Sequence, residues 1–367
     1  MESRLFTPFT IGRLELANRI TIAPMCQYSA VDGSMTDWHL MHLGTLALSG
    51  ASMMVIEATG VTPEGRITPQ CVGLYSDANE TAMRRVVDFC RGISPIRIGI
   101  QIGHAGRKAS AQRPWEGRGA LPPGQGAWET VAPSALPLTA GWPVPHALEL
   151  REMKAIRRAF ADAARRAARI GLDFIELHAT HGYLLSEFLS PLTNRRADEY
   201  GGSLENRMRF PLEVFQDLRA AWPADKPVGA KITGSDFADG GWMPEQAVAF
   251  ARELKKLGCD YVTVSGGGTV PDAKIPVAPG YQVPFAEKVR KETGITTGAI
   301  GLISDPRQAE EIVASGKADF VALARAMLFN PRWAWHAAVA LGAEITYPAQ
   351  YERSAPQAWP PAANAFR

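Results

Sequence analysis

The chain has 367 residues, 46% hydrophobic and 21% charged, with 39 Lys and Arg set against 37 Asp and Glu. Such a composition folds around a sizeable core, and a net charge of +2 gives no broad field for gripping a phosphate backbone, which argues against nucleic acid as a partner. The four cysteines, at 26, 71, 90 and 259, are too scattered for a zinc ribbon, an iron–sulfur site or a disulfide framework.

The opening Met1-Glu-Ser-Arg-Leu-Phe-Thr-Pro8 lacks the basic and apolar parts of a secretion signal, and no later apolar run is long enough to span a bilayer. A cytoplasmic protein with no membrane partner is expected. Short apolar runs then recur at Arg19 to Met25, Ser52 to Thr59, Ile96 to His104, Asp173 to Thr180, Pro227 to Gly234, Tyr261 to Gly267, Ile295 to Ile300 and Phe320 to Arg325. Helical periodicity fills the gaps between them. Met153, Ile156, Phe160, Ala163, Ala164, Ala167 and Ile170 mark one face of a crossover helix that Gly171 can end. Further helices are predicted over Asp77 to Cys90, Ser203 to Trp222 with Ser203 as cap, Pro244 to Leu257, Pro284 to Glu292, Asp305 to Ala314 and Pro331 to Leu341.

Eight strands alternating with helices, with no internal linker, predict an α/β fold of the (β/α)₈ TIM-barrel class. The first strand is followed by no G-x-G-x-x-G, which disfavours a Rossmann domain. The barrel is expected to span residues 1–343, including a Pro-, Gly- and Trp-rich excursion at 105–149 after the third strand. Residues 344–367 form a Pro- and Ala-rich tail. Excursions of this length are usually lids or surface loops.

In a barrel the chemistry gathers at the C-terminal ends of the strands. There the sequence puts Cys26 after the first strand, Gln101 near the end of the third, His178 at the end of the fourth, Lys231 in the fifth and Arg325 at the end of the eighth. Side chains alternate along a strand, so Gly99, Gln101 and Gly103 share a face, and glycine beside an amide leaves room for a flat ligand. Lys231 shares its face with Gly229, and a lysine aimed into a packed barrel is costly without an anion. Something negatively charged is therefore expected over that face, at least transiently. The stretches Ala299-Ile-Gly-Leu302, Ala324-Arg-Ala326 and Ser265-Gly-Gly-Gly268 suit a glycine-lined phosphate pocket. His178, His181 and Tyr183 stand together at the end of the fourth strand. Alone, the histidine pair also suits a metal-dependent barrel hydrolase or lyase, with Glu176 or Glu187 as a third ligand.

Several longer stretches occur together and in order: Ala23-Pro-Met-Cys-Gln-Tyr28, Glu57-Ala-Thr59, Gly65-Arg-Ile-Thr68, Ile100-Gln-Ile-Gly-His-Ala-Gly-Arg-Lys108, His178-Ala-Thr-His-Gly-Tyr183, Leu189-Ser-Pro-Leu-Thr-Asn-Arg195, Asp198-Glu-Tyr-Gly-Gly-Ser203 and Glu205-Asn-Arg207. Through them nearly the whole chain resembles the old yellow enzyme family of flavin-dependent ene-reductases, in the subgroup of xenobiotic reductases and thermophilic-like members.

The resemblance implies noncovalent FMN at the top of the barrel, reduced by NADPH or NADH, and activated alkenes as small-molecule substrates. On the matching positions, Ala23, Pro24, Met25, Cys26 and Ala58 would line the isoalloxazine, Gln101 would bond its pyrimidine edge, and Lys231 would face N1 and the C2 carbonyl. Gly301, Ala324 and Arg325 would hold the phosphate. Lys231 stands where the family usually has arginine, keeping the charge without the bidentate fork, and Ala324 where it usually has glycine. His178 and His181 would hold the substrate's carbonyl or nitro oxygen while hydride reaches the β-carbon, and Tyr183 would protonate the α-carbon. Tyr28 would lie over the site, and Arg353 would reach a neighbouring subunit's site in a homodimer or homotetramer. His104, Arg107 and Lys108 either belong to the site or anchor the excursion. A non-catalytic flavin-binding protein is a third reading, though it has no use for a proton donor beside the histidines.

Overall fold

The computed structural model describes residues 2–363, so the last four residues of the predicted tail lie outside the described residues. Eight parallel strands close into a barrel: β1 (Ile20–Ile22), β2 (Met53–Gly60), β3 (Arg97–Gly103), β4 (Phe174–Ala179), β5 (Val228–Thr233), β6 (Tyr261–Ser265), β7 (Thr296–Ala299) and β8 (Phe320–Leu323). These are the eight expected runs, trimmed at their ends. β1 stops before Pro24, which has no N–H to give the ladder, although Ala23 still donates to the Leu323 carbonyl at 2.9 Å. β8 stops short of Arg325, which opens a helix instead.

The helices are α1 (Asp37–Ala47), α2 (Asp77–Ile93), α3 (Leu150–Ile170), α4 (Leu184–Leu189), α5 (Leu204–Ala221), α6 (Pro244–Lys256), α7 (Val283–Thr293), α8 (Pro306–Ala314), α9 (Arg325–Phe329) and α10 (Trp333–Leu341). Ser203 caps α5 by accepting from the Asn206 N–H, and Gly171, at φ 90°, ends α3. Three helices, α1, α4 and α9, escape the pattern reading. α4 and α9 are too short to show periodicity. α1 begins with an unusual capping box, in which His39 rather than Glu or Gln accepts from the Thr36 N–H.

The lower half of the barrel interior is apolar. Phe174, Tyr261 and Phe320 point inward from β4, β6 and β8, and Met53 and Val55 from β2. Below them a hairpin, Phe9–Ile11 with Leu14–Leu16, closes the floor with Ile11 and Leu16. The Tyr261 ring meets Phe174 edge-on at 6.3 Å and Phe320 at 5.8 Å. A Cβ placed on Gly99, Gly229 or Gly298 would collide with Phe174, Tyr261 or Phe320 respectively. This corrects the expectation at Gly99 and Gly229, because the space they leave is filled by two rings of the chain itself and not by a ligand. Each ring so buried contributes about 2–3 kcal/mol.

Candidate active site

One inward position higher on each strand, the interior turns polar. Gln101 and Glu176 face each other in register, and the Gln101 amide donates to Glu176 Oε1 at 2.8 Å. Thr263 donates to the other oxygen at 3.2 Å. Lys231 stands in register with His178 on one side and Thr263 on the other, and is 5% exposed. Burial lowers its pKa and the field of Glu176 raises it, while burial raises that of Glu176 against the pull of Lys231. The anion expected over Lys231 is thus partly supplied from within the barrel. Among the described residues Nζ makes no hydrogen bond or ion pair, and its donors remain available to a ligand.

His178 ends the inward row of β4, and the turn after it brings His181 and Tyr183 against it. The His178 ring lies 5.5 Å from His181 and 4.9 Å from Tyr183, edge-on to both. His181 holds a left-handed backbone, φ 63°, an uncommon conformation for a side chain of its size. Two groups fix it there. Its Nε2 lies 2.7 Å from Ser265 Oγ on β6, and Lys108 Nζ donates to the His181 carbonyl at 2.7 Å and the Gly268 carbonyl at 3.0 Å. Lys108 therefore ties the loop after β4 to the loop after β6. The same ammonium sits 4.9 Å from the Tyr183 ring centroid. No carbon substituent fits at Gly182, where the Gly268 carbonyl presses against the turn.

Burial depresses the pKa of both imidazoles well below the usual value, with Lys231 and Lys108 adding to the effect. Neutral imidazoles act as donors through one N–H each. Nδ1 of His178 is buried with no hydrogen-bond partner among the described residues, which leaves it for a bound molecule. Burial raises the Tyr183 phenol well above its ordinary value, assisted by Cys26 and Tyr28, so it carries its proton at neutral pH. A crevice lined by Ala58, Thr59, Gly65, Gly103, His178 and Tyr183 opens beside these groups.

Pro24, Met25, Cys26 and Tyr28 are half-buried along the rim after β1. The excursion leans over them, with Trp115 meeting Tyr28 edge-on at 5.8 Å. Arg107 secures its base, donating to the Leu136, Pro137 and Thr269 carbonyls. His104, buried and held near pKa 4 by desolvation, accepts from the Gly106 N–H. Gly301 follows β7, at φ 113°, and Ala324 and Arg325 follow its neighbour β8, Arg325 being exposed. Arg353 stands apart from all of these. The tail runs back along the opposite end of the barrel, where residues 344–348 line a cleft with Asn18, Ser52 and Arg97, and Arg353 is exposed on the turn Ala349–Ser354. Sequence reasoning set Ser265 in a glycine-lined phosphate pocket, whereas its Oγ pairs with His181, and it gave Glu57 no role of its own. The period-two parity of β6 places Ser265 on the inward face with Thr263, whereas β2 shifts register between Ile56 and Thr59, where Glu57 meets the Gln27 N–H.

A family model described as the NADH:flavin oxidoreductase / NADH oxidase family matches residues 4–343. The chain belongs to this family, that of the old yellow enzymes. The NADPH dehydrogenase of Geobacillus thermodenitrificans is 44% identical over 355 residues, covering 96% of this chain and 99% of that protein. Morphinone reductase solved with tetrahydroNAD is 29% identical, with a TM-score of 0.75 and coverage of 94% of this chain and 92% of that one. A 2-naphthoyl-CoA reductase complex shares the fold at 23% identity and a TM-score of 0.83, this chain spanning 52% of it. The old yellow enzyme assignment makes the protein an FMN-dependent oxidoreductase with a nicotinamide dinucleotide as reductant. The mouth fits that group: Lys231 offers uncommitted donors in the same polar layer as Gln101, the residues after β1 form a half-buried ledge, and Gly301 and Arg325 follow adjacent strands. Among the described residues no three His, Cys, Asp or Glu side chains converge to hold a metal ion. Glu176 bonds Gln101 and Thr263, and Glu187 accepts from the Arg107 N–H at 2.9 Å.

Proposed function

We propose that this old yellow enzyme reduces activated C=C bonds of α,β-unsaturated carbonyl or nitro compounds, with NADPH as the reductant. Bound FMN supplies the hydride chemistry. Ala23, Pro24, Met25, Cys26 and Ala58 line its ring, Gln101 and Lys231 hold its polar edge, and Gly301, Ala324 and Arg325 hold its phosphate. The Lys231 ammonium would place a fixed cation at that edge, which favours negative charge there. His178 and His181 receive the substrate oxygen as neutral donors and draw electron density from the double bond. Tyr183 delivers a proton to the α-carbon, and Tyr28 closes the outer side beneath Trp115. The observation that carries this reading is the meeting, 4.9 Å apart, of the Tyr183 ring with the His178 imidazole, whose Nδ1 has no hydrogen-bond partner among the described residues.

The relative named NADPH dehydrogenase supports the choice of reductant. Four unpaired cysteines suit the reducing cytoplasm, and no helix among the described residues is long and apolar enough to cross a membrane. Because the tail carries Arg353 away from its own mouth, its use in catalysis requires a homodimer or homotetramer in which it enters a neighbour's site. The test is anaerobic absorbance titration of the purified yellow protein. NADPH should bleach it and 2-cyclohexenone should restore the colour stoichiometrically. Bleaching with no recovery on any enone, maleimide or nitroalkene would leave a flavin binder without ene-reductase activity.

A further inference from the structure

Lys108 is a cation at the mouth to which the chemistry above gives no part. Its Nζ donates to the His181 carbonyl at 2.7 Å and to the Gly268 carbonyl at 3.0 Å. Both acceptors are neutral, so the two bonds fix the ammonium in place without cancelling its charge. The ammonium lies over the face of the Tyr183 ring, 4.9 Å from its centroid, within the range of cation–π attraction. The ring is fixed by the same frame. The Leu184 N–H, next after Tyr183, donates to the His104 carbonyl at 3.1 Å, and the Tyr183 carbonyl accepts from the Glu187 N–H at 2.9 Å.

We propose that Lys108 is a positioning residue for the proton step: its ammonium, fixed over the Tyr183 ring, stabilises the phenolate left when Tyr183 gives its proton to the substrate. This rests on the ene-reductase reading for the acceptor of that proton. In the step the Tyr183 O–H bond breaks and a C–H bond forms at the α-carbon. The negative charge passes from the substrate's enolate or nitronate to the phenolate oxygen and, by resonance, into the ring beneath Nζ. Solvent water then returns the proton to the oxygen. A phenolate held out of water is costly, and the cation in contact with the ring offsets that cost. It attracts the anion far more than the neutral phenol, so its effect falls on the transition state for proton transfer more than on the resting site. Burial lowers the Lys108 pKa to about 8 against the raising field of Glu187, so the ammonium is present at neutral pH. The ionisable groups facing it are Tyr183 before α4, Glu187 on α4, Arg107 on its own segment, His178 on β4 and His181 in the turn after β4.

The experiment places a trifluorotyrosine at position 183 of the FMN-loaded enzyme and follows its ionisation by fluorine NMR as pH is raised. The fluorinated phenol is far more acidic than that of tyrosine, which brings its ionisation toward the range where Lys108 is charged. No alkene or nicotinamide is present, so failure here is separable from failure of the proposed activity. In Lys108→Met, which keeps the stem and removes the charge, the midpoint should rise by about one to two units. Lys108→Gln keeps a neutral N–H donor for the two carbonyls. Its midpoint should rise as far, and it carries the test if Lys108→Met does not fold. An unmoved midpoint in both variants would overturn the proposal. So would a rise in Lys108→Met that Lys108→Gln does not share, which assigns Lys108 to the loop tie alone.

Discussion

The floor and the mouth of the barrel interior are consecutive turns of the same strand alternation, yet they are built on opposite principles. Two residues along each strand separate them: Gly99 from Gln101, Phe174 from Glu176, Gly229 from Lys231, Tyr261 from Thr263. At the floor, glycines and rings interlock, and among the described residues of the cluster only Tyr261 carries an ionisable group. At the mouth, Lys231, Glu176, His178, His181 and Tyr183 all sit away from their ordinary pKa values because they are desolvated. The floor stabilises the fold, and the mouth consumes part of that stability to hold polar groups out of water. Substitutions in the two layers should therefore separate folding from turnover.

The largest effect is expected from Tyr183→Phe. Removing the proposed proton donor should slow alkene reduction by about 10²-fold or more, while NADPH bleaching and thermal stability stay near wild type. Stopped-flow measurement of the two half-reactions gives the comparison. Alkene reduction at the wild-type rate would remove Tyr183 from its role and erase the contrast between layers.

Glu187, buried behind the mouth, should leave its mark on stability instead. Burial raises its pKa to about 8, against the opposing pull of Arg107 and Lys108. The folded carboxyl thus keeps its proton between about pH 4.5 and 8, where the unfolded one has lost it. Wild-type stability then falls as pH rises through that window, on the order of 2–4 kcal/mol in total. Glu187→Gln can still accept from the Arg107 N–H and has no proton to lose, so its stability advantage over wild type should grow from pH 5 to pH 8. Parallel urea midpoints at both pH values would contradict this.

The barrel was legible because period-two runs and helical faces alternate eight times, and much of the mouth because its motifs resemble a known family. What escaped was chemistry that depends on a partner distant in the chain. Gly99 invites the thought of a ligand until Phe174, 75 positions on, is seen to fill its space. Lys231 called for a negative charge of unstated origin, and Glu176 from the adjacent strand supplies part of it. His39 does not look like a cap, because its acceptor role rests on the tautomer whose Nδ1 takes the Thr36 N–H. Lys108 could be read as an anchor of the excursion, and it turns out to join two other loops.

Gly99→Ala probes the floor directly. A methyl group there meets the Phe174 ring, which is held by Tyr261 and has little room to yield. Overpacking of this kind costs about 1–3 kcal/mol. The protein that does fold should bind FMN and turn over at close to the wild-type rate per flavin, measured against urea midpoint and flavin content. A variant of normal stability would mean the interlock is looser than its geometry.

Ser265→Ala is the gentlest test and bears on how the mouth holds its shape. Ser265 is fully buried and its Oγ is the hydrogen-bond partner of His181 Nε2. Removing it frees the imidazole to change tautomer, while φ at His181 and the Lys108 tie keep the backbone in place. A neutral hydrogen bond of this sort contributes about 0.5–1.5 kcal/mol, so phenolic ligands, which stand in for the substrate oxygen, should bind roughly threefold to tenfold more weakly. Ser265→Thr retains the hydroxyl and should recover most of the loss if the barrel tolerates the extra methyl. Equal affinity in Ser265→Ala would mean that Lys108 and the backbone alone orient His181. The polar layer would then be held, like the floor, by packing and main-chain geometry.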